Sequence, residues 1–266
     1  MTTSQTTRRT VLAAGAGAGL ALGLATPASA TPASAAPATA ALSTAVPDQR
    51  GDGPRIGIAL YDGFSLLDPT GPAELLSRVP GATVTMIAER RGPVRTDTQQ
   101  AAVVADRSFA EVHRLDVLLV PGAGNRGTIA AMRNPVLLDW IRRIDRTTTW
   151  TTAVCTGTLV LGAAGLLREK ATTYWASADY LEQTFGVRYE AERYVQVGKV
   201  ITAAGVSAGI DMALYLASLL TDERTARGIQ LAVEYAPEPP YDSGDAATAS
   251  PELKQLALDL LARSQR

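Results

Sequence analysis

The chain has 266 residues, with 25 basic and 26 acidic side chains and a formal net charge of −1. That balance argues against a nucleic-acid or anionic-membrane partner and leaves a small molecule as the default ligand. A hydrophobic fraction of 46% suits one well-buried α/β domain, a single cysteine cannot form an internal disulfide, and the single histidine, His113, excludes a His-rich metal site built from this chain alone.

In chain order, Thr7-Arg8-Arg9-Thr10-Val11-Leu12 and the Ala/Gly/Leu run to Ala25, closed by Ala28-Ser29-Ala30, have the charged, apolar and small-residue parts of an export signal over residues 1–30. The paired Arg8-Arg9 is of the twin-arginine type, so an exported protein is expected. The apolar run is too short to span a bilayer comfortably, and no stable membrane insertion is expected. Residues 31–53, rich in Ala, Thr, Pro and Ser, read as a flexible linker, leaving 54–266 as a single folded domain with a C-terminal arm and helix.

Arg55 to Tyr61 is an apolar run of the kind found in strands buried on both faces. After the Asp62-Gly63 turn, a loop carrying Asp68 leads to a helix expected over Ala73–Ser77, with Thr70 and Pro72 as start residues. Ala82–Ala88 reads as a second strand, and short polar and β-branched pieces between Gly92 and Ala105 as a hairpin or edge strand. Asp116–Pro121 is a further buried strand, followed by the glycine-bearing loop Gly122–Gly127, where backbone N–H groups can approach a ligand. Helices are expected around Thr128–Arg133 and Pro135–Asp145, then a strand over Thr149–Cys155 and a helix from Thr158 to Leu167.

Later come an extended Lys170–Trp175, a helix over Ser177–Phe185, short strands in Val187–Val197 and Lys199–Thr202, helices over Ala204–Leu220 and Asp222–Glu234, a proline-stiffened arm from Tyr235 to Gly244, and an amphipathic helix over Glu252–Arg263. No helix-turn-helix module is read after the arm. Alternating strands and helices imply a mainly parallel sheet covered on both faces, with ligands beyond the carboxyl ends of the strands. Gly63–Pro72, Pro121–Gly127 and Cys155-Thr156 then share one crevice.

Cys155 falls on a strand-to-helix turn, with Ala153 and Gly157 two positions to either side, as in a nucleophile elbow. The following helix N-terminus favours a thiolate. The plain alternative is a buried apolar filler. His113 precedes its strand at the amino end, so it is expected on the surface, far from the crevice. Asp68 is the best-placed proton manager; otherwise it is a turn residue before Pro69. Tyr174 and Trp175 are pocket or core aromatics. Asp211, early in an apolar helix, is read as a cap or local ion-pair partner.

Several segments carry a family resemblance: Asp62-Gly63 through Asp68, Val120-Pro-Gly122, Ala153-Val-Cys-Thr-Gly157, Gly162–Leu167, Ala171-Thr-Thr173, Gly205–Asp211 and Gln230–Asp242. The chain from about Arg55 to Asp242 resembles the ThiJ/PfpI superfamily, and within it the isonitrile hydratases. The resemblance implies a three-layer α/β sandwich, flavodoxin-like or class I glutamine amidotransferase-like, and a homodimer to which the apolar helices from Val206 onward offer a surface. It also implies hydration of an isonitrile to an N-substituted formamide through a cysteine thioimidate, without metal or organic cofactor. On that pattern Cys155 is the nucleophile, Asp68 the proton donor and then base, and Thr156 a hydroxyl that orients water or the intermediate. Backbone N–H groups near Gly122, Ala123 and Thr156 would stabilise charge on the adduct, and Tyr174 would touch substrate. Tyr174 stands where many relatives carry histidine, which argues against a Cys-His hydrolase. Alternatives are another cysteine-dependent enzyme of the superfamily, hydrolytic or aldehyde-acting, and a non-catalytic ligand-binding or redox-sensing domain with an exposed acidic thiol.

Overall fold

A computed structural model describes residues 52–265, all within one compact unit, Ala45–Arg266. The expected leader and nearly all of the linker lie outside the described residues.

The strands are β1 (Arg55–Ala59), β2 (Thr83–Ala88), β3 (Gly92–Arg95), β4 (Ala102–Ala105), β5 (Arg107–Ser108), β6 (Val117–Val120), β7 (Trp150–Val154), β8 (Lys170–Ala171), β9 (Arg188–Tyr189), β10 (Tyr194–Val197) and β11 (Val200–Ala203). The helices are α1 (Leu67–Leu76), α2 (Asn125–Arg133), α3 (Pro135–Asp145), α4 (Gly157–Ala163), α5 (Ala178–Phe185), α6 (Ala208–Leu220), α7 (Glu223–Ala232) and α8 (Pro251–Ser264). A 3₁₀ turn, Trp175–Ser177, leads into α5.

The main sheet has the order β10-β11-β7-β6-β1-β2-β5, parallel except for the β10–β11 pair. Successive side chains of a strand face opposite sides, and the two cores follow that alternation. Leu118, Val120 and Ala153 pack with Leu137, Ile141 and Leu161 of α3 and α4. Val117, Leu119 and Val154 pack with Leu75 of α1 and Met212 and Leu216 of α6. The chain leaves β1 for β2 on one side, while β6 pairs with β1 on the other. The carboxyl ends of β1 and β6 therefore flank the point where strand order reverses, the usual crevice of such sheets.

Helices α1, α4 and α6 depart most from the sequence expectation. Helix α1 starts at Leu67, six residues early, so Asp68 lies in its first turn rather than in a loop. Pro69 is tolerated there because first-turn N–H groups lack intrahelical partners, although Pro72 sits inside the helix. Helix α4 stops at Ala163 because Gly165 turns the chain at a φ of +76°. Helix α6 opens only at Ala208, with Gly205–Ser207 taken up by a turn. Its apolar face buries Met212, Ala213, Leu216 and Ala217 inside the fold. No helix among the described residues is long and apolar enough to cross a membrane.

Candidate active site

The centre of the site is a strained backbone. Cys155 has a φ of +58°, the left-handed region that L side chains disfavour. Three contacts hold it there: its N–H donates to the Ala203 carbonyl at the end of β11 (3.0 Å), and its carbonyl accepts from the Thr173 hydroxyl (2.9 Å) and the Thr158 N–H (3.3 Å). Gly157 allows the turn, since a Cβ there would run into the Val120 and Pro121 carbonyls. The expected elbow is present, and its strain is maintained by its surroundings.

Asp68 reaches the same place from α1. Its carboxyl is fully buried; Oδ2 accepts the Gly122 N–H at 2.8 Å, while Oδ1 has no hydrogen-bond partner among the described residues. Burial raises its pKa to about 7, against the opposing Gly122 N–H and with a further push from the Asp97 charge. Asp97 is tied to the neighbouring loop by the Ser65 hydroxyl (3.0 Å), and Ser65 N–H donates to the Gly122 carbonyl (2.9 Å). The crevice segments thus meet as expected.

The thiol is a correction. The helix terminus is expected to favour a thiolate, yet burial raises the Cys155 pKa well above its ordinary value and the Asp68 charge adds to the rise. The N–H and hydroxyl of Thr156 pull the other way, as smaller effects. A helix terminus acts at the scale of tenths to about 1 kcal/mol, whereas burial without a counter-charge is worth several pKa units. Cys155 is buried, at 6% exposure, rather than exposed.

The backbone donors are a second correction. Neither Gly122 nor Ala123 presents a free N–H: the first donates to Asp68 and the second to Thr156 Oγ1 at 2.9 Å. Their role here is to position the two side chains. Ala123 keeps a φ outside the left-handed region, so alanine is tolerated. Thr156 N–H remains directed at the sulfur.

Tyr174 caps the 3₁₀ turn, half-buried, with its ring 5.4 Å from that of Trp175. Burial raises its phenol pKa, and the Cys155 charge raises it further, which puts the ring beside the site. His113 is exposed in the segment entering β6, at the sheet's opposite end. Asp211 pairs with Arg193 (2.7 Å) and accepts from the Tyr235 hydroxyl (2.7 Å), tying down the start of the arm.

Two further residues of the site are not legible in the sequence. Tyr61 is buried and donates to the Pro121 carbonyl at 2.5 Å; burial, then the charges of Asp68 and Cys155, raise its pKa. Its only sequence signal is an aromatic at the end of an apolar run before Asp-Gly. Thr128, in the first turn of α2, lies 2.8 Å from Thr156 Oγ1, and in the sequence it is indistinguishable from a helix-start residue. Together the groups form a buried site in which a carboxyl titrating near neutrality, a neutral thiol and a fixed hydroxyl can exchange protons with a small electrophile.

Residues 54–219 match the DJ-1/PfpI family. An isonitrile hydratase from Pseudomonas putida is 41% identical over 196 residues, spanning 73% of this chain and 84% of the relative. Among solved structures, a ThiJ/PfpI family protein from Pseudomonas syringae aligns with a TM-score of 0.75 at 32% identity, covering 87% of this chain and 94% of that one. DJ-1beta of Drosophila melanogaster, at 21% identity and a TM-score of 0.61 over 70% of this chain and all (100%) of its own, shares the fold. With most of its folded part matched, this chain belongs to the DJ-1/PfpI family.

Proposed function

We propose that the protein hydrates a small isonitrile to the N-substituted formamide, with Cys155 as nucleophile, Asp68 as acid and then base, and Thr156 as the hydroxyl beside the sulfur. The observation that carries the reading is Asp68. A buried carboxyl with a pKa of about 7 and one oxygen without a partner is suited to hold and release a proton at neutral pH. The relative from Pseudomonas putida supports the choice of substrate class.

In this reading the Asp68 carboxyl protonates the terminal isonitrile carbon as Cys155 Sγ bonds to it, and the thiol proton passes to the carboxylate. The product is a thioimidate, R–N=CH–S–Cys155. Water then adds to the same carbon while the nitrogen takes a proton from Asp68 and the carboxylate takes one from water. The C–S bond breaks with return of the hydroxyl proton to sulfur, releasing R–NH–CHO. One isonitrile and one water give one formamide, with no change of oxidation state at the enzyme. Thr156 orients water or the intermediate, and Tyr174 lines the substrate's approach. The high thiol pKa fits this scheme, since a concerted transfer through Asp68 does not call for a standing thiolate.

Export of the mature chain and assembly as a homodimer belong to the same reading. Arg8-Arg9 with Ala28-Ser29-Ala30 motivates the first, and the exposed leucines Leu256 and Leu260 on α8 motivate the second. Cell fractionation and light scattering, respectively, test them. The reaction itself is tested by formamide formation from a small alkyl isonitrile by wild-type protein, Cys155→Ala and Asp68→Asn. Turnover by the wild type alone supports the scheme; no turnover by folded wild type overturns it.

A further inference from the structure

Thr128 and Thr156 share one acceptor. The Thr128 hydroxyl lies 3.0 Å from the Ala123 carbonyl oxygen, and so does the Thr156 hydroxyl, at 3.0 Å, while the two hydroxyls are 2.8 Å apart. Thr156 Oγ1 also accepts the Ala123 N–H at 2.9 Å. Both side chains are buried, at 4% and 5% exposure, so water is a poor competitor for these positions. Each hydroxyl carries one proton and can donate one bond. If Thr156 has to satisfy the Ala123 carbonyl, its proton is not available to the neighbouring sulfur. If Thr128 satisfies that carbonyl, it is.

We propose that Thr128 is a positioning residue for the reaction: by donating to the Ala123 carbonyl, it leaves the Thr156 proton free to point at Cys155 Sγ. The sulfur gains that hydrogen bond whenever it carries negative charge, on attack and again on departure. The inference rests on Cys155 being the nucleophile of the proposed reaction and deepens that reading. The scaffold suits such a role, because Thr128 N–H donates to the Gly124 carbonyl at 2.9 Å in the first turn of α2, so its side chain is held by a helix and not by a loose loop. The response of Cys155 to Thr156, N–H and hydroxyl alike, lies in the same direction.

The test reads the sulfur alone. Cys155 is the only cysteine in the chain, so the rate of alkylation by iodoacetamide across a pH series reports its ionisation without reference to any isonitrile. The ionisable groups facing it, Asp68, Asp97, Tyr61 and Tyr174, remain in every variant. Thr128→Val should slow alkylation about tenfold below the midpoint of the profile and move the midpoint up, the effect of one lost hydrogen bond to a charged group. Thr128→Ser should restore it. Thr156→Val should give a similar loss, and the double variant little more than either single one. Wild-type alkylation in Thr128→Val beside slow alkylation in Thr156→Val would overturn the proposal, as would losses that multiply in the double variant. Faster alkylation in Thr128→Val would mean that the side chain only packs the site shut, and would overturn it equally. Failure of isonitrile turnover alongside the expected alkylation pattern would count against the substrate and not against Thr128.

Discussion

Asp68 and Cys155 meet across a glycine. A Cβ placed on Gly122 would lie 2.8 Å from Asp68 Oδ2, 2.8 Å from Cys155 Cβ and 2.7 Å from the Thr156 nitrogen. None of these neighbours is the loose end of a long side chain, so nothing yields cheaply. Gly122→Ala should therefore lower stability by about 1–3 kcal/mol through overpacking. It should also reduce turnover far more than the fall in folded fraction accounts for, because the acid and the nucleophile are pushed apart. Urea unfolding and steady-state kinetics on the same preparation separate the two losses.

The Asp68 carboxyl should make itself felt in both activity and stability. Its pKa rises from 3.8 to about 7 on folding. Below pH 4 it is neutral in folded and unfolded chains alike. Between pH 4 and 7 the folded state holds a proton that the unfolded state has lost, so stability falls as pH rises through that window. The full penalty, on the order of 4 kcal/mol, is present above it. Asp68→Asn should accordingly gain in Tm relative to wild type as pH is raised from 4 to 8. Its turnover should drop by about 100-fold or more, and wild-type kcat/KM should decline above about pH 7 as the acid form is lost. Calorimetry across pH, with matching rate profiles, checks all three.

At position 155 the backbone conformation itself can be tested. Two inactive variants, Cys155→Ala and Cys155→Gly, differ chiefly in the φ of +58° that glycine adopts without strain. The glycine variant should be the more stable of the two by about 1 kcal/mol, the reverse of the usual order, as chemical denaturation would reveal.

Release of the arm offers a control remote from the chemistry. Tyr235→Phe removes the hydroxyl that donates to Asp211 while leaving the Arg193–Asp211 pair in place. Proteolysis of the segment after Tyr235 should accelerate several-fold, with global stability changed by no more than about 1 kcal/mol. Limited digestion followed by mass mapping reads the difference.

Much of the frame is legible in local pattern. The apolar runs at Ile56–Leu60 and Val117–Val120 form buried parallel strands because the pattern reports burial on both faces, and Cys155 stands out as a cysteine between a strand and a helix. Helix α1 hides its start because Leu67-Asp-Pro-Thr-Gly-Pro72 has the composition of a turn; the contacts that make it helical come from elsewhere, with Gly71 packed beside Ile210 of α6. The fate of the Gly122 and Ala123 N–H groups is illegible for a related reason. Their acceptors lie 54 and 33 residues away, and no periodicity encodes such a pairing. Thr128 escapes notice because a threonine at a helix start already has an ordinary explanation.

The span of those pairings bears on when the protein becomes reactive during folding. Asp68 follows β1, Gly122 follows β6 and Cys155 follows β7, and the register joins Ile56 to Val117 and Val120 to Ala153. Parallel strands brought together over such separations close slowly compared with helices. Before both pairings exist, the cysteine is an ordinary accessible thiol with no carboxyl neighbour. In refolding, protection of that thiol should appear only with closure of the three central strands, long after helical signal has returned, so the lone sulfur serves as a built-in clock for the last long-range step.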